Sequence, residues 1–160
     1  MSGMIVLARI LVSAFLSALI GLERELHGCA AGLRTHILVS MGASLFMLIS
    51  IHVAEVYGRF GDVDPSRIAA GVVTGIGFLG AGAIMRYGGS VRGLTTAASI
   101  WAVSAIGLAV GAGMYEAAAI TTFIGLVILI LSRLEEKIVL KWKEKGRKNE
   151  KVEIRGKKPD

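Results

Sequence analysis

The chain has 160 residues, 54% of them hydrophobic, with a formal net charge of +6 and a mean hydropathy of +0.66. That is too apolar for an ordinary soluble domain, and the charges stand between long uncharged runs rather than over a surface. A single cysteine, Cys29, rules out an intrachain disulfide, and the sequence holds neither a CxxC pair nor a Cys/His cluster.

The first apolar run predicts a helix over 4–22. It lacks the basic leader and cleavage site of a signal peptide and runs directly into Glu23 and Arg24, so it reads as a retained membrane span. Ser13, Ser17 and Gly21 recur at spacing four, a pattern that lets helices approach closely in lipid. Arg9 is the one charge inside an apolar run, and such a charge either snorkels or faces the bundle. The acids available to pair with it are Glu55, Asp64 and Glu116.

A short hairpin then brings Glu23, Arg24, Arg34, Thr35 and His36 to one depth. They form either an interfacial charge network or a site for a lipid headgroup, an ion or a partner helix. A second helix is predicted over 36–54, with Ser40 and Ser44 four apart. His36 and His52 lie near its ends without metal-ligand spacing, and no metal ligand is assigned.

The third span, 66–85, opens with Asp64 as N-cap and Pro65 at the first helical position. Gly71, Gly75 and Gly82 fall on one face and Gly77 and Gly80 on the other, so this helix is expected between partners at the centre of the bundle. The alternative is that "GFLGAG" breaks the helix and lines a pathway. The G-x-G-x-x-G in "GIGFLG" lacks the strand–turn–helix context of a nucleotide site and is set aside.

After Arg92 and Gly93 a fourth helix is predicted over 94–114. Thr95 and Thr96 are free to bond its own backbone or a neighbour, and Gly107 and Gly111 repeat the spacing of four. The fifth, 116–132, is a little short of the roughly 20 residues that cross a bilayer. Residues 134–160 form a basic tail, solvated or drawn to anionic lipid. Its charge belongs to a membrane-proximal segment, so nucleic acid is not an expected partner.

The fold class is thus an all-α integral membrane protein, a compact bundle of five transmembrane helices forming one domain over 1–133. With the N-terminus outside and the C-terminus inside, fifteen Lys or Arg lie inside and two outside, the sense that the positive-inside rule favours. No nucleophile with a base and orienter and no phosphate-cradling loop is visible, so an enzyme is not expected and no cofactor is implied.

The stretches "LARILVSAFLSALIGLERE", "AGLRTHILVSMGA", "DPSRIAAGVVTGIGFLGAGAIM" and "VRGLTTAASIWAVSAIGLAVGAGMY" resemble the MgtC/SapB family of bacterial and archaeal membrane proteins over nearly all of residues 5–130. Family positions matched include Arg9, Glu23, Arg24, Arg34, Thr35, Asp64, Arg67, Gly75, Gly77, Gly80, Gly82, Arg92, Thr95, Thr96 and Trp101. Gly71 stands where the family often has Gln, and Ala30 lies near a common proline. The MgtC branch continues into a soluble ACT-like domain, so the resemblance is to the membrane-only, SapB-like branch. It implies a multi-pass protein of the inner, cytoplasmic membrane. It also implies a role in adaptation to low magnesium and, in pathogens, in virulence, by acting on other membrane proteins such as the ATP synthase or a transporter.

Two readings of function follow. The first is a non-enzymatic modulator whose glycine faces dock helices of a partner or a second copy among membrane lipids. The second is a transporter or channel for Mg²⁺ or another small solute.

Overall fold

The structure is a computed structural model that describes residues 2–132; the basic tail, 134–160, lies outside the described residues. Five helices are long and apolar enough to cross a membrane: α1 (Gly3–Leu26), α2 (Leu33–Tyr57, with a 3₁₀ turn at Gly58–Phe60), α3 (Ser66–Ala83), α4 (Leu94–Ala112) and α5 (Tyr115–Ser132). A hydrocarbon layer has no water to bond an open backbone, so these apolar runs satisfy their peptide groups within each helix. Residues 2–126 belong to one compact unit, and the end of α5 from Val127 belongs to a second.

Within the first unit, α1, α2 and α4 pack against one another, while α3 lies mainly against α4 and only lightly against α2. The shared interior mixes aliphatic residues, Val103, Ile106 and Val110 of α4 above all, with small polar ones. Ser13 and Ser17 on α1, Ser40, Ser44 and Ser50 on α2, and Ser99 and Ser104 on α4 are all buried. Most of these hydroxyls are satisfied by a turn of helix: Ser17 donates to the Ser13 carbonyl at 2.7 Å and Ser104 to the Trp101 carbonyl at 2.7 Å. Ser40 reaches across instead, donating to the Ser13 carbonyl at 3.2 Å. Leu7, Leu11, Phe15 and Leu19 form the opposite, exposed stripe of α1. Small groups inward and bulky apolar groups outward is the arrangement expected where packing, not water, drives association.

Helices α1 and α2 extend beyond the predicted 4–22 and 36–54, because Glu23, Arg24 and Arg34 are good helix formers and the first breaks come at Gly28 and Gly58. The third helix stops short of residue 85. There the chain becomes an antiparallel hairpin, β1 (Met85–Tyr87) against β2 (Ser90–Arg92), with Arg86 opposite Val91 and Gly88–Gly89 at the turn. Gly93 then turns the chain into α4 with φ +89°, where the chain passes the Ala83 carbonyl so closely that a side chain has no place.

One expectation is overturned. Helix α3 is not at the centre of the bundle: Ile76 is its only buried residue, and Gly71, Gly75, Gly77 and Gly82 would meet nothing of the described chain if each carried a Cβ. Only Gly80 has a neighbour, Ala97 on α4 at 3.8 Å. Helical phase shows which residues share a face, and nothing in the phase says that the face is covered. The helix is also unbroken through "GFLGAG".

Candidate functional site

Three places gather the predicted polar and glycine residues. The first is the junction of α1, α2 and α4 beside the turn at residues 27–32. Glu23 and Arg24 occupy the last turns of α1 and are 8% and 2% exposed, bonded Nε to Oε2 at 2.5 Å. His27 closes the end of α1, its Nδ1 lying 2.6 Å from the Glu23 carbonyl and 3.1 Å from Glu23 Oε1. Across the turn, Glu25 Oε2 accepts from the Leu33 backbone N–H at 2.9 Å, an acid at the positive end of α2.

His36 is fully buried in the next turn of α2. Its Nδ1 lies 2.8 Å from the Gly32 carbonyl and its Nε2 3.0 Å from Ser99 Oγ on α4. Ser99 Oγ also lies 2.8 Å from the carbonyl of buried Thr96. Arg34 and Thr35, expected in the same group, are exposed and stay out of it: they fall on the other side of α2 from His36. Thr95 and Trp101 are exposed on α4.

The second place is the opposite end of α1 and α4. Arg9 neither snorkels free nor pairs with Glu55, Asp64 or Glu116. Its Nη1 donates to the Gly111 carbonyl at 2.6 Å, in the last turn of α4. A helix C-terminus presents unbonded carbonyls and partial negative charge, and a cation there satisfies both. Gly107 and Gly111 make the seam beneath it. A Cβ on Gly111 would lie 2.6 Å from the Ser44 carbonyl oxygen and 2.7 Å from Met47 Cβ, and one on Gly107 would strike the Ser40 carbonyl. Their spacing of four therefore matches that of Ser40 and Ser44 across the interface.

The third place is the outer face of α3. With α2 it frames an open groove of about 680 Å³, lined by apolar residues and glycine alone, among them Leu38, Gly42, Phe46, Gly71, Gly75 and Leu79. Asp64 and Arg67 stand exposed where α3 begins, and Arg92 is exposed on β2. Asp64 Oδ1 accepts from the Ser66 N–H at 2.8 Å, which caps α3. Glu23 lies ahead of the start of α2 and Asp64 beyond its end, and α2 itself, with 25 residues, is about 37 Å long. Among the described residues no three His, Cys, Asp or Glu side chains gather as a metal site.

Ser99 escaped the sequence reading, although it follows Thr96 by three on the same face of α4. His36 was seen there only as a polar residue near a helix end.

The family model described as "MgtC family" matches residues 10–138. The chain belongs to the MgtC family. It is 50% identical over 116 residues to the Escherichia coli (strain K12) protein named "Putative magnesium transporter YhiD", covering 68% of this chain and 51% of that one. It is 45% identical over 127 residues to "Protein MgtC" of Brucella abortus (strain 2308), covering 79% and 51%. It is 46% identical over 124 residues to "Protein MgtC" of Salmonella typhimurium, covering 78% and 51%. The chain thus spans about half the length of the curated relatives it matches. No solved structure matches it. Family and helices together make it a multi-pass protein of the cytoplasmic membrane.

Proposed function

We propose that this chain acts without catalysis, as a membrane protein that modulates other membrane proteins during adaptation to low magnesium. It docks a helix, of a partner or of a second copy, on the glycine face of α3. The observation that carries this reading is the open face itself: Gly71, Gly75 and Gly82 meet no atom of the described chain, and the adjoining groove is wholly apolar. Small residues permit backbone approach, which is the main source of helix association in lipid. The magnesium setting rests on the name of the Escherichia coli relative. The N-terminus faces outward in this reading, following the basic residues.

The test is crosslinking in native membranes with and without Gly75→Leu, together with growth at low magnesium. Loss of the crosslinked species and of growth supports docking; wild-type behaviour in both refutes it.

The name of the same relative also favours a second reading, transport of Mg²⁺. Purified protein in sealed liposomes loaded with a magnesium-sensitive dye separates the two. Saturable flux that Asp64→Asn or Glu23→Gln abolishes establishes transport, and no flux above empty liposomes leaves docking as the activity.

A further inference from the structure

His36 is a buried titratable group that neither reading uses, and its bonding can be settled by counting protons. A carbonyl oxygen only accepts, so the 2.8 Å contact to the Gly32 carbonyl requires a proton on Nδ1. The tautomer is thereby fixed, and Nε2 is the nitrogen that is bare in the neutral ring. Nε2 faces Ser99 Oγ at 3.0 Å, and the same hydroxyl lies 2.8 Å from the Thr96 carbonyl. A hydroxyl has one proton to give. With His36 neutral, Ser99 gives it to Nε2 and the Thr96 carbonyl keeps only its bond within the α4 backbone. With His36 charged, Nε2–H donates to Ser99 and Ser99 donates to Thr96.

We propose that His36, Ser99 and Thr96 form a proton-binding site that joins α2 to α4. A proton arriving on His36 reverses the Ser99 hydroxyl and adds one hydrogen bond on α4. These three residues supply all that recognises a proton: a bare nitrogen whose neighbour accepts as readily as it donates, with a second acceptor behind it.

The charged groups that face this site come from α1. Glu23 and Arg24 are buried in its last turns, and Glu25 and His27 follow them, exposed. Helix α4 offers no ionisable side chain, since 94–112 holds no Asp, Glu, Lys, Arg or His. Helix α3 carries only Arg67, at the end far from Ala83, and Arg86 and Arg92 of the hairpin are exposed. On α2 itself Arg34 is exposed. A buried charge is tolerated only where it is hydrogen-bonded, and in the charged form both ring nitrogens donate, Nδ1 to the Gly32 carbonyl and Nε2 to Ser99.

The experiment is nuclear magnetic resonance of the full chain in lipid nanodiscs from pH 4 to 9, with ¹⁵N-histidine and ¹³C-carbonyl threonine. In the alkaline form Nδ1 is expected to carry the proton and Nε2 to be bare. As pH falls, the Thr96 carbonyl resonance is expected to move with the same midpoint as His36 Nε2. In Ser99→Ala the histidine still titrates but the Thr96 carbonyl stays still, and Ser99→Thr restores the link. Three results overturn the proposal: the opposite tautomer, no titration of His36 across this range, or a Thr96 carbonyl indifferent to it in the native chain. Each variant is read for its folded spectrum first, and Ser99→Thr guards against a loss that is merely structural.

Discussion

Helices α4 and α3 have almost the same length and both carry glycine in apolar runs, yet half of the α4 span is buried and 6% of the α3 span. On α4, Gly107 and Gly111 meet the backbone of α2 at Ser40 and Ser44, and a Cβ at either would collide with it. On α3, four of five glycines face open space. The same residue therefore marks an interface already made in one helix and a surface without a partner in this chain in the other. What separates them is a matching small-residue pattern on the facing helix. Ser40 and Ser44 supply it for α4, and no helix of the described chain supplies it for α3.

The comparison can be broken first at the tight core. Arg24 and Glu23 are a buried pair, and Arg24→Ala leaves the Glu23 carboxylate without its guanidinium. Removing one member of such a pair costs about 3–5 kcal/mol, so a large fall in thermal midpoint in detergent is expected. A midpoint within a degree or two of wild type would mean that this end of the core is not closed.

The next effect is at the seam. Gly107→Val forces a branched side chain onto the Ser40 carbonyl, and overpacking of this kind costs ~1–3 kcal/mol and sometimes more. Gly75→Leu is the matched control on α3. With nothing of the described chain near it, its unfolding midpoint is expected to match wild type to within about 0.5 kcal/mol. If Gly75→Leu destabilises the isolated chain as Gly107→Val does, α3 is packed within its own bundle and the contrast fails.

The spans and the α4 seam were legible because their signals are local: charge-free runs of bilayer length, and glycines spaced by one turn. The position of α3 was not legible, because periodicity assigns faces and not neighbours. Arg9 shows another limit. Its partner is the Gly111 carbonyl, a backbone group that every residue owns and that no sequence pattern marks. Glu23, Arg24, Arg34, Thr35 and His36 share one depth in the sequence, but depth does not say which way a side chain faces: Glu23, Arg24 and His36 are buried, and Arg34 and Thr35 are exposed. The hairpin at Met85–Arg92 does have a local signal, Gly88–Gly89 between two short runs.

The smallest effect sharpens the contrast from the side of α3, whose start is tied by a loop rather than by a packed face. Hydrogen bonds from the Ser66 side chain and backbone N–H, aided by the charge of Arg67, hold the Asp64 carboxyl below its ordinary range. A depressed carboxyl contributes fully above its unfolded value, about 4, and the contribution is lost as pH falls through the lower folded value. Native stability should therefore owe a small, constant amount to Asp64 from pH 5 to 8 and nothing at the acid extreme. Asp64→Asn removes the charge, so its unfolding midpoint should lie slightly below wild type at pH 7 and rejoin it only as pH falls below the lowered folded value. A gap that does not narrow as pH falls would assign the residue a role in packing rather than in charge. Because Asp64 is exposed and α3 lies mainly against α4, the effect should stay at the start of that helix and leave the α1–α2–α4 core unmoved.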